Sequence, residues 1–190
     1  MPSGVVHDRI TIRLLPWVVG ITYCLSRSAE ITLTLSCGYL FSGMMFGPDL
    51  DIHSLQYKRW GMIKDIWLPY RKLFRHRSLF SHGFIIGTCI RLIYLFLIVL
   101  IVAILLVAIA QIYWGFPWNW QEFFKAQFHL LTWKYPYETI ALFIGLEIGA
   151  MSHSLSDWTS SYCKRRLKNK ANLKSKSKSK RQAKIYHKKK

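Results

Sequence analysis

Four apolar segments alternate with polar stretches along the chain, and the third segment is the most apolar. No charged residue occurs from Leu92 to Gln121, and Leu92–Ile112 is almost entirely Leu, Ile, Val and Ala. A helix of that length reaches about 30 Å, the thickness of the hydrocarbon core of a bilayer. A soluble protein would need a much larger domain to bury it. The pattern therefore predicts a transmembrane helix.

Three weaker segments decide how often the chain crosses the membrane. Leu14–Ser26 is uncharged but short, Ile31–Pro48 is uncharged and rich in small residues, and residues 139–156 carry only Glu147 as a charged residue. Small residues let helices pack closely in lipid. The short link Arg27–Glu30 predicts an antiparallel hairpin of the first two segments. We predict an all-α membrane bundle of about four helices, in which the first two either span the bilayer or form a re-entrant pair.

Positive charge divides the chain into two parts. The 190 residues carry a net charge of +18. Residues 164–190 hold 14 Lys or Arg and no acid, whereas the rest of the chain holds 13 bases and 9 acids. We predict a membrane-embedded domain over residues 1–163 and a disordered Lys/Ser-rich tail over residues 164–190. The tail is expected to lie on anionic lipid headgroups, at about 1 kcal/mol per base, and nothing beside it predicts specific nucleic-acid binding.

The remaining bases predict which end of the bundle faces the cytoplasm. With four crossings, the N-terminus, residues 49–83 and the tail share one side. The opposite side receives only Arg27, Lys125 and Lys134. The positive-inside rule then predicts a multi-pass protein with both termini in the cytoplasm. The opposite loop is rich in Trp and is expected to form an aromatic belt at the outer interface.

Most of the histidines, together with several aspartates, fall at this predicted cytoplasmic end. Imidazoles and carboxylates without thiolates suit Zn²⁺, Mn²⁺ or Fe²⁺, so their convergence predicts a site for one or two divalent metal ions. The candidate ligands are His7, Asp49, Asp51, His53, His76, His82, His153 and Asp157.

Each group of candidate ligands also has an ordinary explanation. His153 and Asp157 are four residues apart on one helix face, which suits two metal ligands or a carboxylate that orients a histidine. As an isolated pair, a simple hydrogen-bonded His–Asp is the commoner case. Asp49 and Asp51 could simply end a helix and begin a turn. Glu147 is separate, since it lies at about 80–120° from the other two residues on the same helix.

The motifs resemble an uncharacterised bacterial family of metal-binding membrane proteins. The resemblance covers roughly residues 1–160. It is carried by His7, by Pro48-Asp49-x-Asp51-x-His53, by His76-Arg77 followed by Ser81-His82, and by His153-x-x-x-Asp157. More distantly, the chain is similar to inner-membrane metal-dependent hydrolases, one of which is described as LexA-binding. In that broader pattern the Asp–His and His–His spacings are each one residue shorter than here. The resemblance implies a metal site, hydrolysis and the bacterial inner membrane.

Two functions follow from this pattern. The first is a metal-dependent hydrolase at the cytoplasmic membrane face, acting on a phosphate ester or a similar lipid-derived substrate. In it Arg77 stabilises an anionic oxygen, and Asp51 is a catalytic residue as well as a ligand. The second is a non-catalytic membrane anchor or sensor, with a structural metal and a basic surface that binds a partner.

Overall fold

The regular elements of the described chain are all helical. The computed structural model describes residues 4–74 and 78–188, with side chains through Lys170. Short 3-10 turns lie at Pro48–Asp51 and Gly61–Trp67, and a π-helical turn lies at Leu130–Lys134. The helices are α1 (Gly4–Ser26), α2 (Ala29–Met44), α3 (Leu55–Lys58), α4 (Leu68–Leu73), α5 (Leu79–His82), α6 (Ile86–Trp114), α7 (Trp120–His129) and α8 (Pro136–Lys188).

Helices α1 and α2 form the predicted hairpin. The reversal occurs at Arg27, whose φ of +53° lies in the left-handed region. Ser28 then caps α2, because its Oγ accepts a hydrogen bond of 3.3 Å from the backbone N–H of Ile31. A serine at this position satisfies one of the free N–H groups of the first turn. The hairpin brings the start of α1 next to the end of α2.

Glycines allow α2 and α8 to pack backbone to backbone. A Cβ atom on Gly145 would lie 2.1 Å from the carbonyl oxygen of Leu35, and one on Gly149 would lie 2.5 Å from that of Tyr39. On the other helix, a Cβ on Gly38 would lie 2.8 Å from the carbonyl oxygen of Leu142. Close approach through small residues is how helices associate in lipid. This contact sets the position of the later part of α8.

Helix α6 stands largely apart from the other helices. None of its most apolar 18-residue stretch is buried, although the mean hydropathy of that stretch is 3.5. Only Gly87, Thr88 and Arg91, in its first two turns, are buried. Its start is tied to α8, since Glu147 Oε1 accepts a hydrogen bond of 3.0 Å from the backbone N–H of Ile85. The first turns of α6 therefore pack against the rest of the protein, unlike its later part.

Two helices of the described chain are long and apolar enough to cross a membrane. They are α6 and the Pro136–Lys170 part of α8. The prediction of four crossings is not confirmed. Helix α2 has 16 residues, so it is only about 24 Å long, and the 23 residues of α1 include Asp8, Arg9 and Arg13.

The described part of the tail continues helix α8. Helix α8 runs without interruption to Lys188, and the predicted disorder of residues 164–190 is not confirmed over the part that the structure describes. No Gly or Pro follows Gly149, and lysine is a good helix former. The separation of residues 1–163 from residues 164–190 stays a prediction.

The segment between α2 and α6 is a folded layer rather than a loop. Its core is a cluster of buried side chains formed by Phe46, Leu50, Tyr57, Trp67, Tyr70 and Leu146. An ion pair anchors it to α1, because Arg59 Nη1 donates to Asp8 Oδ1 at 2.9 Å and to the carbonyl oxygen of Met44 at 2.8 Å. This layer holds the turn at Pro48–Asp51 close to the start of α1 and to the part of α8 around His153.

Candidate metal centre

Five of the eight predicted ligands meet at one end of the bundle, and they come from four different parts of the chain. His7 lies in the first turns of α1, Asp49 lies in the turn after α2, and His82 is the last residue of α5. His153 and Asp157 lie one turn apart on α8. The structure therefore brings these five residues together, and their role as metal ligands stays a prediction.

The five side chains form two groups of three that share Asp157. One group is His7, His153 and Asp157, and the other is Asp49, His82 and Asp157. Within each group the potential ligand atoms lie within 4.8 Å of one another. The rings of His7 and His153 are stacked, with centroids 3.8 Å apart.

The distances between ligand atoms suit a metal ion. His7 Nε2 lies 3.3 Å from Asp157 Oδ1, and His153 Nε2 lies 3.1 Å from Asp49 Oδ2. Two ligands that are each about 2.1 Å from a tetrahedral ion lie about 3.4 Å apart. His82 Nε2 lies 3.8 Å from Asp49 Oδ1. All these contacts are therefore short enough for one or two shared cations.

The environment of Asp157 also favours a cation. The residue is 6% exposed, its Oδ1 lies 3.3 Å from His7 Nε2, and neither carboxylate oxygen has a well-aligned hydrogen bond in the part of the chain that the structure describes. A buried carboxylate without hydrogen bonds is costly unless a cation compensates its charge. A divalent metal held by Asp157 and the neighbouring imidazoles would provide that compensation.

Burial keeps His7 in the form that binds metal. Desolvation lowers the pKa of His7, and the neighbouring His153 lowers it further. Asp157 and Asp49 act in the opposite direction but do not reverse the shift. The neutral imidazole, which carries a free lone pair, is the ligand form of histidine. A lowered pKa therefore reduces competition between protons and metal at neutral pH.

Asp51 lies behind His82 and outside both groups of ligands. Its Oδ2 accepts a hydrogen bond from the hydroxyl of Ser81, and it lies 3.9 Å from His82 Nδ1. Ser81 Oγ is also 2.9 Å from His82 Nδ1. With its own proton directed to Asp51, Ser81 accepts the Nδ1–H of His82, which leaves Nε2 available toward Asp49. In this arrangement Asp51 can orient the His82 ring through Ser81. The sequence analysis predicts a different role for Asp51, as a metal ligand and catalytic residue.

Besides Ser81, which the sequence offers only as a motif position next to His82, two polar residues that were not predicted contact a ligand or its neighbour. Gln56 Nε2 donates to the carbonyl oxygen of Gly43 at 3.0 Å and lies 3.5 Å from His153 Nδ1. Arg91 is almost completely buried and donates to the carbonyl oxygen of Ser81 at 2.9 Å. A lone arginine at the start of the most apolar segment is a signal that could have drawn attention to Arg91. Ser81 and Gln56 give no comparable signal.

The remaining predicted residues are not brought into the cluster. His53 is exposed, and its ring meets that of Tyr57 edge-on with centroids 5.1 Å apart. His76 and Arg77 lie outside the described residues. The motifs that end in His53 and His82 are each one residue longer than in the broader hydrolase pattern. His82 nevertheless lies among the clustered ligands, whereas His53 does not.

Two cavities reach the ligand cluster from different sides. One, of about 260 Å³, is lined in part by His82 and Asp157. The other, of about 170 Å³, is lined in part by His7, Asp49 and His153. Both groups of ligands therefore have space beside them for a small molecule.

Comparison with known proteins supports metal binding. The profile of a family described as "Uncharacterized metal-binding protein (DUF2227)" matches residues 2–167, a range that contains all five clustered ligands. An uncharacterised protein of Aquifex aeolicus is 34% identical over 67 residues, which are 35% of this chain and 47% of that protein. The chain thus covers about half the length of this relative. No solved structure matches the chain.

Proposed function

This chain belongs to the DUF2227 family of metal-binding proteins, and from that premise we propose that it is a metal-dependent hydrolase of the cytoplasmic membrane face. The substrate class that we propose is a phosphate ester, of lipid or soluble origin. The distant resemblance to inner-membrane hydrolases, carried by the His and Asp motifs, supports the same reaction class.

One observation carries the proposal: among the described residues, two groups of potential ligands share Asp157, and each group adjoins a cavity. Catalytic metal sites keep one coordination position open to water or substrate, whereas structural sites are closed. Carboxylates mixed with imidazoles are also the donor set of hydrolytic centres. The arrangement therefore favours catalysis over a purely structural metal.

The roles of the residues follow from their contacts. His7, His153 and Asp157 would hold one cation, and Asp49, His82 and Asp157 a second. When bound, such an ion supplies an activated water and a Lewis acid for the phosphoryl oxygen. Hydrolysis adds water across the P–O ester bond and releases phosphate and an alcohol. Ser81 and Asp51 fix the orientation of His82 during this reaction. Arg77, beyond the described residues, stays our proposed contact for an anionic oxygen.

A membrane location is supported by helix α6. A helix of this hydropathy with no buried residues in its most apolar stretch is unlike the core helix of a soluble protein, and lipid would cover it. The bases concentrated at the end of the protein that holds the ligands support a cytoplasmic orientation of that end.

We expect both termini to be cytoplasmic. A reporter that is active only in the cytoplasm should give a signal when fused after Lys190, and one that is active only after export should give a signal when inserted at Asn119, between α6 and α7. Expression of each fusion is checked by immunoblotting. The reverse pattern would move the ligand cluster to the outer face and contradict the proposed location.

The proposed activity is tested on the full-length protein purified in detergent. Metal content is measured by inorganic mass spectrometry, and turnover is measured with p-nitrophenyl phosphate and bis(p-nitrophenyl) phosphate. We expect turnover that is lost on chelation and restored by one divalent metal. His153→Ala should reduce it at least about 100-fold, because a ligand costs more than the 10–100-fold of an outer-shell residue, whereas His129→Ala should not. A fully metal-loaded protein without turnover on either ester would instead favour the structural or sensory metal.

A further inference from the structure

The cavity beside His82 and Asp157 has a wall of a different chemical character from the ligand cluster. That wall belongs to α8, on both sides of Asp157 along the helix, and presents two serine hydroxyls, two aromatic side chains and one guanidinium. The residues are Ser154, Trp158, Ser161, Tyr162 and Arg165. Their spacing of three or four residues places them on one face of the helix.

Arg165 is the cationic residue among those that line this cavity. It belongs to the stretch that the sequence analysis assigned to a lipid-bound tail. The structure instead continues α8 through this stretch as an unbroken helix, so Arg165 has a defined position two turns beyond Asp157. A guanidinium beside serine and tyrosine hydroxyls is a donor set that matches the oxygens of a phosphoryl group.

We propose that this cavity is the phosphoryl-binding site of the protein, with Arg165 as its specificity-determining residue. The inference rests on the proposed function, since it names where the ester binds relative to the metal ligands. The phosphoryl oxygens contact Arg165 and the hydroxyl of Ser161, which lies one helical turn before it. The exposed rings of Trp158 and Tyr162, which are stacked with centroids 6.0 Å apart, provide an apolar surface for the organic part of the ester.

Charge makes this binding dependent on metal. Asp157 lines the same cavity and Asp49 lies in the same ligand group. Without a cation, two carboxylates oppose an anionic ligand that Arg165 attracts. With one or two divalent ions bound, the local charge becomes favourable for phosphate. Phosphate binding should therefore require both the metal and Arg165.

The experiment measures binding of inorganic phosphate to the metal-loaded, full-length protein in detergent by isothermal titration calorimetry. Arg165→Gln should weaken binding at least about tenfold, because a charge-assisted contact is lost. Arg166→Gln is the matched control: it removes the same charge from the next residue, whose guanidinium lies 5.0 Å from the Tyr162 ring centroid and outside the lining of the cavity. It should change binding less than about twofold. Metal content is measured for both variants and should equal that of the wild type.

Two competitors identify the source of the phosphoryl group. Soluble glycerol phosphate and phosphatidic acid in nanodiscs are each tested against inorganic phosphate. Competition by either supports the site and assigns its ligand to the soluble phase or to the bilayer. Equal losses in Arg165→Gln and Arg166→Gln would overturn the proposal, as would a metal-loaded wild type that binds none of the three. Those results would contradict the phosphoryl-binding site but not the metal centre. A wild type that binds no metal would contradict the proposed function itself.

Discussion

Replacing Asp157 by Ala is expected to remove nearly all bound metal from the purified protein. Asp157 is the residue that both groups of ligands share, so its loss leaves each group with two protein ligands. Outer-shell substitutions already cost 10–100-fold in affinity, and the loss of a shared ligand should exceed about 100-fold. Inorganic mass spectrometry on the purified variant, with affinity from competition against a chelating dye, measures the effect.

Two histidine variants provide matched controls for this prediction. His53→Ala and His129→Ala each remove an exposed imidazole outside the ligand groups, and both should retain the metal content of the wild type. His53 is the more informative control, because the sequence motif predicts it as a ligand and the structure places it at the surface. Circular dichroism shows whether each variant keeps its helical content. If Asp157→Ala and His53→Ala retained equal metal, the binding would be adventitious.

Replacing Gly145 by Ala should destabilise the protein by about 3 kcal/mol or more, although only one methyl group is added. That methyl would lie 2.1 Å from the carbonyl oxygen of Leu35, so the α2 and α8 backbones must separate. Overpacking costs typically 1–3 kcal/mol, and a clash with backbone has no flexible side chain to absorb it. Thermal unfolding in detergent, followed by circular dichroism, measures the change.

Gly20→Ala is the control for this prediction. No atom lies within 4 Å of a Cβ built on Gly20, which sits within α1. Because glycine in a helix costs roughly 0.5–1 kcal/mol relative to alanine, this variant should be as stable as the wild type or slightly more stable. Opposite signs for the two substitutions would support the close α2–α8 contact. Equal melting temperatures would contradict it.

The sequence by itself predicted the most apolar helix and the end of the protein at which the candidate ligands gather. The uncharged stretch Leu92–Gln121 can be covered only by lipid or by a larger protein, so its prediction as a membrane helix needed no tertiary information. The small residues of the second and fourth segments indicated the close packing that α2 and α8 show. The ends of the apolar segments also placed His7, Asp49, His82, His153 and Asp157 at one end, because antiparallel helices return to the same side.

Only the tertiary structure decided which of those residues touch. His53 and His82 each end a motif, and the two motifs are equally suggestive in sequence. The ring of His53, after the turn at Pro48–Asp51, is exposed, whereas His82 at the end of α5 lies close to Asp49. Ser81, Gln56 and Arg91 act through contacts between residues that are distant in the chain, and no local pattern encodes such contacts. In the sequence, Arg165 is one of many bases in a highly charged tail. In the structure, α8 continues without interruption past Asp157 and places Arg165 at the cavity beside it. Periodicity and charge are properties of neighbouring residues, whereas a binding site depends on distances of a few ångström between elements, which the packing of the helices sets.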